Sequence, residues 1–180
     1  MKTEICRVPM GKSNSYLIKG KEGFILIDAG VPGKTDKILK VLSKYNAKFD
    51  DIKLIIVTHV HSDHVGGLYD IKEKSKAPVL VHEKERNILT QGYAGFPDGT
   101  MGFSKIISHL ANNVFFSKDQ FKPVKADIVV RDEFDLSDYG VDGKVIHTPG
   151  HTEGSISVVV ENSHCFTGDT LFNILPNSVY

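Results

Sequence analysis

The chain has 180 residues, 41% of them hydrophobic and 24% charged, which is ordinary for one globular domain with its own core. Its 22 lysine and arginine residues balance 22 aspartate and glutamate residues, so the formal net charge is zero. This balance argues against a protein that binds nucleic acid through its phosphate backbone, because such proteins usually carry a basic excess. No stretch approaches the ~20 apolar residues of a membrane span, so we expect no membrane partner either.

The N-terminal segment and the two cysteines give information on the cellular compartment of the protein. The segment "MKTEICRVPMGKS" contains no continuous apolar run of the kind found in a secretory signal. Cys6 and Cys165 lie far apart and form no CxxC motif, so we interpret them as two free thiols in a reducing environment. We therefore expect a cytoplasmic protein, and the sequence leaves its oligomeric state open.

The first third of the chain alternates strands and helices. The runs "SYLIKG" and "GFILIDAG" meet at "KGKEG" and predict a hairpin. The segment "KTDKILKVLSKY" follows, with apolar residues at helical spacing and lysines on the opposite face. "IKLIIVTH" is nearly all apolar and β-branched, which is typical of a strand covered on both faces, and "APVLVHE" repeats the pattern after another helical segment. This order indicates an α/β fold with helices packed on a sheet.

The middle and the last third differ from this pattern. Residues from about 90 to 122 are rich in glycine and aromatic residues and separate two strand-rich regions, so we interpret them as an insertion. The insertion is either a lid over a substrate or a helix that only covers the core. Short apolar runs then return in "DIVVRDEFDL", "GKVIHTPG", "SISVVVEN" and "SHCFTGD", with a hairpin turn at "VENSHC".

The segment "THVHSDHVGG" crowds His59, His61, Asp63 and His64 into six positions directly after the strand "IKLIIVTH". If the extended backbone continues through Val60, His59 and His61 point to the same side. We expect Ser62 to cap a helix through "DHVGGLYDI", which would bring Asp63 and His64 back to the end of the strand. Imidazole and carboxylate groups are ligands for zinc, manganese or iron(II), so this cluster indicates a metal site.

Two later segments place the same kinds of side chain after strands. "HTPGHTEGS" presents His151 in a turn fixed by Pro149 and Gly150, and "CFTGDT" does the same for Asp169. Taken with the histidine cluster, both are candidate metal ligands. The other histidines, His82, His109 and His164, are interpreted as structural or merely exposed.

The three motifs "THVHSDHVGG", "HTPGHTEGS" and "FTGDTLF", together with "FILIDAG", resemble the successive motifs of the metallo-β-lactamase superfamily, and the resemblance spans residues 13–172. It implies an αββα sandwich, with a metal pair at its edge, in a single domain covering residues 1–180. It further implies that His59, His61 and His151 bind the first metal, that Asp63 and His64 bind the second, and that Asp169 bridges both. Asp28 would orient the histidine loop and His147 would support the site without binding metal.

The resemblance implies a hydrolase that uses a metal-bound hydroxide, with two divalent ions, zinc being expected and iron or manganese being alternatives. Asp63 would also orient the hydroxide and transfer a proton. For the substrate we expect a small thioester, ester or lactone. A mononuclear iron oxygenase of the sulfur dioxygenase type, a phosphodiesterase on the same scaffold and a metal-binding module without turnover remain alternatives.

The family usually supplies one more histidine to the second metal from a segment beyond "GDTLF". Only "NILPNSVY" follows here, and it contains no histidine. We therefore expect that the final strand and helix of the sandwich are missing from this sequence and that a longer form of the protein carries the sixth ligand.

Overall fold

The structure is a computed structural model that describes residues 3–94 and 120–171. Residues 95–119 of the insertion expected at about residues 90–122, with His109 among them, therefore lie outside the described residues. The lid therefore stays a prediction.

The first sheet has six strands in the order β1-β2-β3-β4-β5-β6. The strands β1, β2 and β3 pair antiparallel, and those from β3 to β6 pair parallel. Their bounds are β1 Ile5–Pro9, β2 Asn14–Lys19, β3 Phe24–Ile27, β4 Ile52–Ile56, β5 Val79–His82 and β6 Ile128–Val130. The hairpin predicted at "KGKEG" is the connection from β2 to β3.

The second sheet has four antiparallel strands in the order β10-β9-β8-β7. Their bounds are β7 Glu133–Asp135, β8 Gly143–His147, β9 Ile156–Val160 and β10 His164–Phe166. The turn between β9 and β10 is the hairpin predicted at "VENSHC".

Four α-helices are described: α1 Thr35–Leu42, α2 Ser62–Val65, α3 Leu68–Ser75 and α4 Arg86–Gln91. Each contributes apolar side chains to one hydrophobic cluster on the outer face of the first sheet. A second cluster fills the space between the two sheets. Strand β4 contributes to both, because Ile52 and Ile55 face the helices while Leu54 and Ile56 face the second sheet. This confirms that "IKLIIVTH" includes a strand covered on both faces.

The apolar run "DIVVRDEFDL" forms two strands, because the structure divides it between β6 of the first sheet and β7 of the second. The chain bends at Arg131 and Asp132, which are both exposed, and the side chain of Arg131 donates to Glu83. Two adjacent charged residues mark where the chain leaves one sheet for the other. In the described ranges, no helix is both long and apolar enough to cross a membrane.

Candidate metal centre

The predicted ligands lie in loops and turns that follow strands of the two sheets. His59 and His61 follow β4, and His64 lies in α2, which begins directly afterwards. In the second sheet, His151 follows β8 and Asp169 follows β10. The carboxyl end of a strand in an open sheet is the usual position for a ligand site in α/β proteins.

The loop after β4 differs from its predicted form. The strand ends at Ile56 and the chain bends at Thr58 and His59. The N-cap of α2 is His61, whose backbone is extended (φ −121°, ψ 152°), and Ser62 is already the first helical residue. The helix predicted through "DHVGGLYDI" is two helices, since α2 ends at Val65 and α3 begins at Leu68.

The glycine pair between the two helices has a steric cause. A Cβ atom at Gly67 would lie 2.6 Å from the carbonyl oxygen of Ala29, in the loop after β3. The backbone N–H groups of Ala29 and Gly30 both donate to the carbonyl oxygen of His64, at 2.7 and 3.1 Å. The glycine therefore allows the helix junction to pack directly on this loop, which fixes the backbone of His64.

Two overlapping groups of side chains place their ligand atoms within 4.8 Å of one another. The first consists of His59, His61 and His151, and the second of His59, His64 and Asp169. Asp169 faces both groups, because its carboxylate oxygens lie 3.2 Å from Nε2 of His64 and 3.8 Å from Nε2 of His151. Asp63 belongs to neither group, although its Oδ2 lies 3.9 Å from Nε2 of His64.

Asp28 orients the two most buried imidazoles. Its Oδ2 accepts from Nδ1 of His64 at 2.8 Å and from the hydroxyl of Thr58, also at 2.8 Å, while its Oδ1 accepts from the N–H of Thr58. Since the Thr58 hydroxyl hydrogen goes to Asp28, its oxygen accepts from Nδ1 of His59 at 3.2 Å. Both histidines thus donate from Nδ1 and direct Nε2 into the site.

This donor set fits a divalent cation. The Nε2 atoms of His59 and His64 are buried, and neither has a hydrogen-bond partner among the described residues. A buried polar nitrogen without a partner is costly, whereas a metal ion satisfies it. Four imidazoles with a carboxylate form a set that zinc, iron or manganese can use, and the residues present therefore fit a metal site.

The electrostatics of the site agree with this assignment. Burial, with repulsion from His64 and His61, lowers the pKa of His59 to about 2, so its ring is neutral. Burial also acts against a charge on His64, but Asp28 and Asp169 outweigh it and raise its pKa to about 10. The imidazole of His64, whose Nε2 lies 3.2 Å from the carboxylate, lowers the pKa of Asp169 to about 2. The pocket between the two aspartates therefore favours a positive charge.

Two residues in the left-handed region of backbone conformation hold this network together. Asp28 has a φ of 54°, which aspartate tolerates better than most residues. Gly168 has the same φ, and a Cβ atom there would lie 2.6 Å from the hydroxyl oxygen of Thr58. Glycine is needed because the loop that carries Asp169 passes directly over Thr58 and His59.

Sequence reasoning did not identify two of the residues that position the site. Thr58 links Asp28 to His59, and the hydroxyl of Ser13 donates to the backbone carbonyl of Asp63. A threonine or serine beside a histidine motif carries no distinctive signal. His147 lies outside both ligand groups: its ring stacks on His82 at 3.9 Å, and its Nε2 donates to the carbonyl of Glu153.

The sequence profile of the metallo-β-lactamase superfamily matches residues 8–176. The chain belongs to this superfamily. A protein of Methanocaldococcus jannaschii named as a probable metallo-hydrolase is 38% identical over 161 residues, which are 89% of this chain and 68% of that protein. A hydroxyacylglutathione hydrolase of Pelagibacter ubique is 32% identical, over 89% of this chain and 52% of that protein.

Solved structures support the same fold. BJP-1, a subclass B3 metallo-β-lactamase of Bradyrhizobium japonicum, superposes with a TM-score of 0.67 and 29% identity, covering 91% of this chain and 57% of that one. The αββα class expected from the motifs is thereby confirmed. The chain spans about two thirds of the first relative and little more than half of this structure. Membership also supports metal binding and hydrolysis as the general activity.

Proposed function

We propose that this protein is a hydrolase of small thioesters, esters or lactones that depends on two divalent metal ions, with zinc as the expected metal. The observation that carries the proposal is the pair of overlapping ligand groups, which share His59 and which Asp169 faces from one side. A small-molecule substrate and a cytoplasmic location belong to the same proposal and rest on the sequence.

When bound, a pair of divalent ions polarises the bond under attack and makes water acidic enough to act as a nucleophile near neutral pH. The chain's own residues then have separate tasks. His59, with its hydrogen held on Nδ1 by Thr58, offers only Nε2 to the site. Asp63 is more accessible, with a side chain 27% exposed, and its Oδ2 faces Nε2 of His64. Asp63 is thus placed to accept a proton from the attacking water at a carboxylate oxygen.

A serine nucleophile is not needed, and the one serine in "HTPGHTEGS" is unsuited to the role. Ser155 is 2% exposed, and its hydroxyl oxygen accepts from the backbone N–H of Thr152 at 3.0 Å. Its hydroxyl also bonds with the side chain of Thr152 at 2.9 Å. Ser155 therefore closes the turn that presents His151, which is a structural task.

The proposed substrate class draws on one relative. The Pelagibacter ubique protein is named for hydrolysis of an acylglutathione, in which the acyl group is a thioester. A thioester, an ester and a lactone present the same acyl carbon to attack. The proposal therefore extends to this chemical class and not to glutathione itself.

The test combines metal analysis of the purified chain with turnover of a thioester, an ester, a lactone, a phosphodiester and a β-lactam. Two zinc ions per chain with turnover of one of the first three would support the proposal. One iron with oxygen consumption would replace it by an oxygenase, and metal without turnover would leave a binding module. His59→Ala should lose metal, and His164→Ala, which removes a histidine on strand β10, is its matched control.

Asp63→Asn tests the role of the carboxylate. An amide cannot accept the proton, so turnover should fall by about 100-fold or more while the melting temperature changes little. If Asp63→Asn retained full turnover on a confirmed substrate, Asp63 would have no part in the reaction.

A further inference from the structure

A buried glutamate outside both ligand groups contacts both metal-binding loops. Glu85 lies between β5 and α4 and is 2% exposed. Its Oε2 accepts from the backbone N–H of Val60 at 2.9 Å. Val60 is itself buried and stands between His59 and His61, so this bond fixes the backbone that carries both ligands.

The other side of the same carboxylate packs on the loop that carries His151. Gly154 is buried, and a Cβ atom there would lie 2.5 Å from Cγ of Glu85 and 2.8 Å from Oε1. The α-carbon of Gly154 is therefore in direct contact with the glutamate side chain. Glu85 thus lies between the loop after β4 and the loop after β8.

The turn that carries Glu85 is held in place independently of the ligands. The N–H of Glu85 donates to the carbonyl of His82 at 3.0 Å. The ring of His82 donates from Nε2 to the carbonyl of Arg131, accepts at Nδ1 from the N–H of Lys84, and stacks on His147 of strand β8. The contacts of His82 that hold the turn of Glu85 therefore connect the first sheet to the second.

From this geometry we propose that Glu85 is a positioning residue that sets the separation of His61 and His151 for the first metal. Nδ1 of His61 and Nε2 of His151 lie 3.0 Å apart across the gap between the two loops. Glu85 contacts no ligand atom and acts through the backbone of Val60 and Gly154. This inference rests on the proposed metal-dependent function, and it adds a residue that the three metal-binding motifs do not contain.

The test measures metal affinity apart from turnover. Glu85→Ala removes the acceptor for Val60, whereas Glu85→Gln keeps an acceptor oxygen at nearly the same place. Ser75→Ala is the matched control, since Ser75 is also buried and its hydroxyl accepts a backbone N–H, that of Ala77, at the end of α3. Zinc affinity is measured by competition with a chelator, and the absorption spectrum of the cobalt-substituted protein reports the geometry of the ligands.

We expect Glu85→Ala to weaken the tight zinc site by about 10-fold or more and to change the cobalt spectrum, as removal of partners behind metal ligands does elsewhere. Glu85→Gln should restore the spectrum and most of the affinity. Ser75→Ala should lower the melting temperature and leave both metal readouts unchanged.

If Glu85→Ala does not fold, Glu85→Asp provides the same test, because its shorter side chain keeps a carboxyl group but withdraws the acceptor from Val60. Wild-type affinity and spectrum in Glu85→Ala or Glu85→Asp would overturn the inference while leaving the proposed hydrolase intact. A wild-type protein that binds zinc but turns over no substrate would overturn the proposed hydrolase, and the variants would still decide the role of Glu85.

Discussion

The candidate ligands on the first sheet and those on the second differ in how they are held. The side chains of His59 and His64 are 1% and 4% exposed, and both connect through hydrogen bonds to Asp28. The side chains of His151 and Asp169 are 28% and 38% exposed and face mainly the other ligands. The first-sheet half of the site is therefore organised by the fold itself, whereas the second-sheet half depends more on its ligand partners.

The two halves are joined at a few backbone points. The N–H of Ile156, at the start of β9, donates to the carbonyl of Thr58 at 2.9 Å. Glu85 spans the same gap, because it accepts from the N–H of Val60 and packs against Gly154. We expect the first half to keep its geometry in the metal-free protein and the second half to gain order from the metal. The predictions below test this difference through the free energy of unfolding of the metal-free protein.

Asp28→Ala should have the largest effect. The carboxylate accepts from three buried donors, two on Thr58 and one on His64, and each unpaired donor costs about 1–3 kcal/mol, so we expect a loss of more than about 3 kcal/mol. Urea unfolding in the presence of a chelator measures this loss in the free energy of unfolding. Asp28→Asn tolerates the same backbone conformation and keeps one acceptor oxygen, so it should lose less. An Asp28→Ala variant as stable as the wild type would show that the first half is held by other means.

Gly168→Ala should have the next largest effect. The new Cβ atom would meet the hydroxyl of Thr58 at 2.6 Å, at a residue with a φ of 54°. Gly33→Ala separates the two causes, because Gly33 has a φ of 74° but nothing within 4 Å of a Cβ atom. We expect about 1–2 kcal/mol for Gly33→Ala and about 2–3 kcal/mol for Gly168→Ala in the same unfolding assay. Equal losses would mean that the close approach to Thr58 contributes nothing.

The same difference between the two halves explains what the sequence could predict. The candidate metal-binding segments were visible because His59, His61, Asp63 and His64 are dense in the chain and because Asp169 follows a short apolar strand. The buried strand β4 was visible from its apolar residues alone. Such signals lie within short segments of the sequence, so they can be recognised without knowledge of the fold.

The positions that were missed depend on contacts between distant segments. The neighbouring sequence does not distinguish Glu85 from Glu83. In the structure, however, Glu85 is buried and accepts from the N–H of Val60, whereas Glu83 forms an exposed ion pair with Arg131. The switch of sheets at Arg131 and the break between α2 and α3 follow from packing against other segments, such as the loop at Ala29. Propensity and periodicity do not record these contacts.

His82 should make a smaller, pH-dependent contribution. Burial, together with the neighbouring His147, lowers the pKa of His82 from its ordinary value of 6.5. The unfolded chain takes up this proton as the pH falls below about 6.5 while the folded chain resists it, so the free energy of unfolding decreases with falling pH in that window. His82→Gln keeps a donor for Arg131 but does not titrate. The loss of stability between about pH 7.5 and about pH 5.5 should therefore be smaller in His82→Gln than in the wild type. An equal or larger loss in His82→Gln would show that His82 does not contribute to the pH dependence of stability.

His151→Ala should have the smallest effect on the metal-free protein and so gives the sharpest test of the comparison. Its ring is partly exposed and its hydrogen bond goes to another ligand, His61, so we expect a change within about 0.5 kcal/mol. The stabilisation that added zinc gives the wild type, which arises because the ion binds only the folded state, should largely disappear in this variant. Unfolding curves with chelator and with excess zinc measure both quantities on one sample. If His151→Ala destabilised the metal-free protein as much as Asp28→Ala does, the second-sheet ligands would be as firmly built into the fold as the first. The order in which the site assembles would then have to be derived from something other than burial and hydrogen bonding.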